Sequence, residues 1–410
     1  MTDNEEIISF NPAPNEKKKK SNYRAQKDAY HNKNSYKISS FILLIITFAQ
    51  FIFILYLLFY SKNNFNNPEN TYINNTINNI MNNTKEEIIT IIPTTETGYI
   101  NIGKFEYKKE EYKTNKNAIH IAMACDNGAV YSSLVSMASA LENNNKEKNI
   151  LIYHLLLSND FDMNKLGYFE SLKDDYEFIL NYVKIPPIFK YIKKKWRNTE
   201  TVQYKLLLPL LYPDIPRMIF LDGDTLVFTD ILEMYNLDFK DNYILGYPYH
   251  TADSLDGWVK EHLKVYINCG VLLFNIDKIR QDNMDLKLLE FHQDNFHRTH
   301  FLEQDSLNYL YQDKIGFLPL KYGIYLFGNI EEYKKTYLFK MRVELNFTEM
   351  ESALEKPSIV HLCCCNPKVW YKNTRQEKGY NHICYRFQEE FYFYANKTKF
   401  YNEIYNSYMK

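Results

Sequence analysis

Apolar positions along this chain follow two patterns. Residues 41–60 read FILLIITFAQFIFILYLLFY, 20 positions without a charge, interrupted by Thr47 and Gln50. A helix of that length spans about 30 Å, the hydrocarbon thickness of a bilayer, and this one lacks the polar stripe of a soluble buried helix. Tyr56 and Tyr60 fall toward its far end, where interfacial anchors sit. From Ala118 onward the apolar positions come in short runs. Residues 118–124 (AIHIAMA), 149–157 (NILIYHLLL), 176–183 (YEFILNYV), 217–228 (RMIFLDGDTLVF, broken at Asp222) and 271–275 (VLLFN) predict strands. Leu134, Met137, Ala138 and Leu141 share one face of a helix predicted over 130–141. A second helix is predicted over 201–212, bent at Pro209 and stopped by Pro213. Strands alternating with helices predict an α/β fold with a mostly parallel sheet, and continuous apolar runs suit strands covered on both faces.

Charge around the long apolar run orients it. Residues 17–37 hold eight basic side chains and one acidic, whereas residues 62–84 hold one of each. The positive-inside bias therefore predicts a cytoplasmic N-terminus and type II topology. A cleaved signal peptide is the competing reading, but its apolar core would be shorter and followed by small residues at a cleavage site. Residues 62–84 contain 11 Asn in 23 positions and read as a spacer. The expected organisation is a basic cytoplasmic tail (1–37), a signal-anchor helix (38–61), an Asn-rich stalk (62–115) and one folded domain (116–410). Sequons at Asn74, Asn82, Asn346 and Asn396 fit a lumenal placement.

Composition narrows the classes further. The 410 residues carry a formal net charge of −1, which argues against a dedicated nucleic-acid binder. Six cysteines are too few for a disulfide scaffold, and Cys363-Cys364-Cys365 lacks the spacing of a structural zinc site. No GxGxxG or P-loop pattern occurs. The basic stretch 190–197 (KYIKKKWR) reads as an exposed or phosphate-binding loop, and the aromatic-rich residues 380–408 as packing.

Ligands in parallel α/β sheets bind beyond the carboxyl ends of strands, which directs attention to Asp126, Asp222 and Asn268. Asp222-Gly223-Asp224 follows the apolar run MIFL. At a strand end, with Gly between them, two carboxylates can turn toward one hard divalent cation bound to substrate phosphates. A solvated turn is the alternative reading of the same tripeptide.

Four motifs then occur in order: IFLDGDTLV, NCGVLLFN from Asn268, EQDSLNYL from Glu303, and HLCCCNPKVW from His361. Over roughly residues 118–370 the chain resembles glycosyltransferase family 8. That resemblance implies a GT-A fold, a nucleotide-sugar donor that is usually UDP-linked, Mn²⁺ with Mg²⁺ as the alternative, and transfer with retention to a glycan, glycoprotein or glycolipid acceptor. It implies Asp222, Asp224 and His361 as metal ligands. Cys125, Asn127, Gly223, Asn268, Cys269 and Gly270 would lie along the donor. Lys205 and Lys368 would face the diphosphate, and Glu303, Gln304 and Asp305 the sugar being transferred. With the apolar span, the expectation is a membrane-anchored enzyme whose domain faces the Golgi lumen. The sequence departs from the family pattern at Cys125, where many relatives carry Asp, and at Gly128, where many carry an aromatic. It departs again at Lys205 (usually Arg), Glu303 (usually Asp) and Cys364 (usually Gly). These departures motivate an alternative, an inactive protein that binds glycans or nucleotide sugars. A nucleotidyltransferase is disfavoured because residues 118–131 hold no Gly- and basic-rich loop.

Overall fold

The computed structural model describes residues 91–92, 100–101, 116–189, 200–248, 263, 266–325, 347–364, 368–371 and 382–409, all within the unit Ile89–Lys410. The apolar span, the basic tail, the stalk segment 62–84 and the loop 190–197 lie outside the described residues. Among the described residues no helix is long and apolar enough to cross a membrane.

Ten strands concern the site: β1 Asn117–Cys125, β2 Asn149–Leu157, β3 Phe178–Lys184, β4 Arg217–Leu221, β5 Thr225–Val227, β6 Ile244–Pro248, β7 Ile267–Asn275, β8 Ile315–Phe317, β9 Tyr322–Tyr325 and β10 Ile359–His361. Seven form one sheet in the order β8-β6-β7-β4-β1-β2-β3. All neighbours run parallel except β7, which is antiparallel to both β4 and β6. A small sheet, β9-β10-β5, is built from the chain leaving β4 and two later segments. The expected strands are all present, and every residue of β2 is buried, as its unbroken apolar run requires.

Both faces of the large sheet are covered. Ile121, Met123, Tyr153, Leu155 and Ile219 pack on one side with Leu134, Met137 and Ala138 of helix α1 (Val130–Asn143). The helices α4 (His382–Ala395) and α5 (Tyr401–Tyr408) join the same layer through Phe391, Tyr394 and Ile404. On the other side Ala122, Leu156, Phe220 and Leu272 meet Leu288 and Leu289 of α2 (Met284–Asn295) and Leu307 of α3 (Glu303–Leu310). The aromatic-rich C-terminal helices thus serve packing, and the sequon residue Asn396 is exposed at the turn between them.

Two local departures from regular geometry shape the site. The segment expected as a helix over 201–212 is a 3₁₀ helix, Thr201–Leu207, followed by a short α-helix, Leu208–Leu211. Pro209 has no N–H to return to the Lys205 carbonyl, so the chain winds tighter and Leu208 N–H bonds that carbonyl instead. The second departure is in β7. Its pairing with β6 jumps from Gly246↔Leu272 to Tyr247↔Asn268, leaving Cys269, Gly270 and Val271 as a bulge on that edge.

His120 on β1 and His154 on β2 stack beneath the second layer, with ring centroids 5.3 Å apart and Nδ1 to Nε2 at 3.0 Å. Burial lowers the His120 pKa from 6.5 to about 4, and burial followed by the His120 charge holds His154 well below its ordinary value. The unfolded chain therefore binds more protons between about pH 6.5 and 4, so stability is full above that window and is lost as pH falls through it. For His120 alone the shift corresponds to ~3 kcal/mol. The urea midpoint is expected to fall from pH 7 to pH 4.5, and His120→Leu to fall less; parallel curves for the two proteins would exclude the pair as the cause.

Candidate active site and metal centre

The site forms where β4 ends. Asp222 N–H donates to Gly270 O at 2.8 Å, continuing the β4–β7 ladder by one residue. The chain then turns, closed by Thr225 Oγ1 donating to Asp222 O at 2.9 Å, and re-enters as β5. β5 pairs antiparallel with β10, which places His361 directly opposite Thr225, and Leu362 N–H donates to Asp224 O at 2.8 Å. Two carboxylates and an imidazole from distant parts of the chain are thereby brought together by backbone pairing. His361 Nε2 lies 3.4 Å from Asp222 Oδ2 and 3.1 Å from Asp224 Oδ1. One ligand atom from each residue lies within 4.8 Å of the others.

Glycine makes the approach possible at two points. A Cβ on Gly270 would sit 2.0 Å from His361 Cε1, and one on Gly223 would sit 2.3 Å from Ser133 Oγ of α1. At Gly270 three ring atoms would be struck, so only glycine admits the imidazole, whereas at Gly223 the Ser133 hydroxyl would have to rotate away.

Each carboxylate spends its second oxygen on a lysine. Lys205 Nζ lies 3.3 Å from Asp222 Oδ1, and Lys368 Nζ lies 2.5 Å from Asp224 Oδ2. Lys205 is 1% exposed; it also donates to Cys269 O at 2.8 Å, pairs with Glu303 Oε1 at 3.5 Å, and sits 4.6 Å from the Phe220 ring centre. Burial alone would discharge Lys205, but Asp222 and Glu303 outweigh it and raise its pKa. Burial likewise opposes ionisation of Asp222 and Asp224, yet Lys205 and His361 lower the first, and Lys368 and His361 hold the second well below the carboxylate range. For His361, burial is overcome by Cys363 and the two aspartates, which raise it well above its ordinary value. Lys368 is anchored by the Leu362 and Cys363 carbonyls at 2.9 and 3.2 Å.

The remaining expected residues divide into two groups. Asn268, Cys269, Glu303 and Gln304 join the cluster. Asn268 Oδ1 faces His361 Nδ1 at 2.9 Å, and Gln304 Oε1 accepts Cys269 N–H at 3.0 Å. Asp305 is fully buried: it accepts His300 and Phe301 N–H on Oδ2 and the Tyr266 hydroxyl on Oδ1. Those bonds hold Leu302, at φ 56, in a conformation unusual for leucine at the entry to α3. Burial raises the Asp305 pKa despite them. In the β1–α1 turn, Asn127 links to Asp160 O and Asp162 N, each at 2.9 Å, and burial pushes the Cys125 thiol up to about 12.

A family model described as Glycosyl transferase family 8 matches residues 120–374. The chain belongs to this family. General stress protein A of Bacillus subtilis is 27% identical over 215 residues, covering 49% of this chain and 66% of that protein. An Arabidopsis thaliana protein named probable galacturonosyltransferase-like 9 is 24% identical over 192 residues, covering 42% and 49%. The family 8 chain thus spans between 49% and 66% of the length of these two relatives. Among solved structures, the apo WbbM bifunctional glycosyltransferase superposes with a TM-score of 0.60 at 15% identity, over 77% of this chain and 55% of that one. The galactosyltransferase LgtC, solved with donor and acceptor sugar analogues, gives 0.54 at 16% identity, over 68% and 96%. The shared fold is a GT-A-like α/β domain with a mostly parallel sheet.

The family 8 cluster fits a divalent cation on its own chemistry. His361 Nε2 is buried and faces two ionised carboxylate oxygens, at 3.4 and 3.1 Å. Two carboxylates with one imidazole suit Mn²⁺-type ions. The motif assignments alone leave out two supporting residues. Tyr266 bridges Gln304 Nε2 at 3.1 Å and Asp305, and nothing in its local sequence marks it. Asn308 clamps Ile267 through both its amide atoms, at 2.7 and 2.9 Å, and its i+4 spacing from Gln304 was an available signal. Gly270→Ala is expected to cost about 1–3 kcal/mol and displace His361, whereas Gly167→Ala, with nothing within 4 Å of the added carbon, should be neutral or slightly stabilising. Denaturant titration of both variants measures the difference; equal midpoints would show that the His361 ring is not confined.

Proposed function

We propose that this chain is a membrane-anchored, metal-dependent transferase that moves a hexosyl-type sugar from a UDP-sugar to an acceptor hydroxyl, with retention, in the Golgi lumen. The observation that carries the reading is the convergence of Asp222 Oδ2, Asp224 Oδ1 and the buried His361 Nε2 beyond the end of β4. The charge-free segment 41–60, flanked by eight basic residues on its N-terminal side, supports the anchor.

Asp222, Asp224 and His361 would hold Mn²⁺, which when bound supplies positive charge against the diphosphate that leaves the sugar. The protein's own groups do the rest. Asp222 and Asp224 stay ionised because Lys205 and Lys368 flank them. Lys368, 24% exposed on a part-open rim, is placed to meet phosphate oxygens, whereas Lys205 is buried and acts as an internal counter-charge. Gln304 is held by Cys269 N–H and Tyr266, so its amide presents a fixed dipole to the sugar face. The acceptor oxygen bonds to the anomeric carbon on the face from which the diphosphate departs, which keeps the configuration, and the hydroxyl proton passes to the departing phosphate oxygen.

Release of UDP from a panel of UDP-sugars by the full-length protein should require Mn²⁺. Asp224→Asn is expected to lower turnover by about a hundredfold or more, the ~3 kcal/mol scale of losing one charge contact in such a site. Undiminished turnover in that variant would sink the metal assignment. Glycosidase treatment of the cellular protein is expected to shift its size, with Asn396→Gln reducing the shift. A protein that resists alkaline carbonate extraction supports the anchor, and one released by it refutes the anchor.

A further inference from the structure

We propose that Asn268 is a positioning residue that sets which nitrogen of His361 faces the two carboxylates and holds the ring in that pose. The inference rests on the metal-dependent reading above and names what orients its nitrogen ligand. Asn268 Oδ1 accepts the Gly270 backbone N–H at 2.9 Å. A backbone nitrogen can only donate, so this atom is the amide oxygen and not its NH₂. The same oxygen lies 2.9 Å from His361 Nδ1, which must therefore carry a proton and donate it. In a neutral imidazole the lone pair is then left on Nε2, the nitrogen aimed at Asp222 and Asp224. Metal-binding histidines are commonly oriented in this way, through a hydrogen bond from the other ring nitrogen.

Position and rigidity come from the strand. Asn268 and Gly270 flank Cys269 in the β7 bulge, so one short stretch supplies the acceptor, the N–H that fixes it, and the gap into which the ring fits. Asn268 is 6% exposed, and both acceptor sites of its Oδ1 are taken by these two donors. Its Nδ2 makes no hydrogen bond among the described residues, so a contact to the donor sugar through Nδ2 is compatible with positioning through Oδ1.

The test uses full-length protein and Mn²⁺ alone, without donor. Calorimetry is expected to show Mn²⁺ affinity lowered about ten- to a hundredfold in Asn268→Ala. Asn268→Asp keeps an oxygen for both N–H groups and is expected to stay at or above the parent affinity. A residue that contacted only the sugar would raise KM for the donor in both variants and leave Mn²⁺ binding unchanged; that result overturns the proposal. In parallel, NMR of the histidine ring N–H groups is read on metal-free protein. The parent and Asn268→Asp should show a slowly exchanging Nδ1–H, assigned by its absence in His361→Ala, and Asn268→Ala should lack it. Persistence of that signal in Asn268→Ala overturns the positioning role whatever the metal does. Loss of the signal in a protein whose parent takes up no Mn²⁺ removes the metal reading and supports the orientation of His361 by Asn268.

Discussion

Three electron-rich atoms aimed at one point repel one another unless positive charge lies among them, and the architecture around Asp222, Asp224 and His361 follows from that constraint. The inner oxygens of the two aspartates face the same ring nitrogen, and their outer oxygens are each held by a lysine. The lysines keep the carboxylates ionised and leave their inner lone pairs directed inward. Without that pairing, burial would favour protonated aspartates, and the cluster would lose its negative charge. The backbone contributes as much as the side chains: β5 and β10 pair so that His361 has no freedom to retreat along the strand.

The two cations are not equivalent. Lys205 is enclosed by Asp222, Glu303, the Cys269 carbonyl and the Phe220 ring, so its charge is fixed inside the protein. Its place depends on the tight winding that Pro209 imposes downstream. Lys368 sits on the partly open side, beside Trp370 at 5.7 Å. A buried charge on Asp222 and a part-exposed one on Asp224 divide one electrostatic task between two positions. Replacing Arg by Lys at position 205, relative to the family pattern, is intelligible here, because a compact ammonium fits between two carboxylates and a carbonyl.

Much of this was legible in the sequence. Continuous apolar runs identified the doubly covered strands, and four ordered motifs located every member of the Asp–Asp–His cluster. What could not be read was how the motifs are served by residues without a pattern of their own. Tyr266 precedes β7 with no distinguishing neighbour, yet it ties Gln304 to Asp305. Asp305 sits in EQDSLN beside Gln304, and the structure spends its Oδ2 on the strained entry to α3 and its Oδ1 on the Tyr266 hydroxyl. The 201–212 segment has helical spacing, and only the register of the Pro209 nitrogen against the Lys205 carbonyl distinguishes a 3₁₀ turn there. Such features depend on which atoms meet across the fold, and periodicity does not encode that.

The bulge in β7 carries one more consequence. At Cys269 the protein uses main-chain atoms, N–H to Gln304 and C=O to Lys205, while the thiol sits buried against Ile267 O at 3.9 Å. Chemistry at that position is therefore indifferent to side-chain identity within the limits of volume, but the number of residues between Asn268 and Gly270 is not adjustable. Evolutionary drift at this point is free to exchange one small side chain for another and barred from inserting or deleting one, because a single added residue would rotate the amide acceptor and the glycine gap out of step with the imidazole they serve.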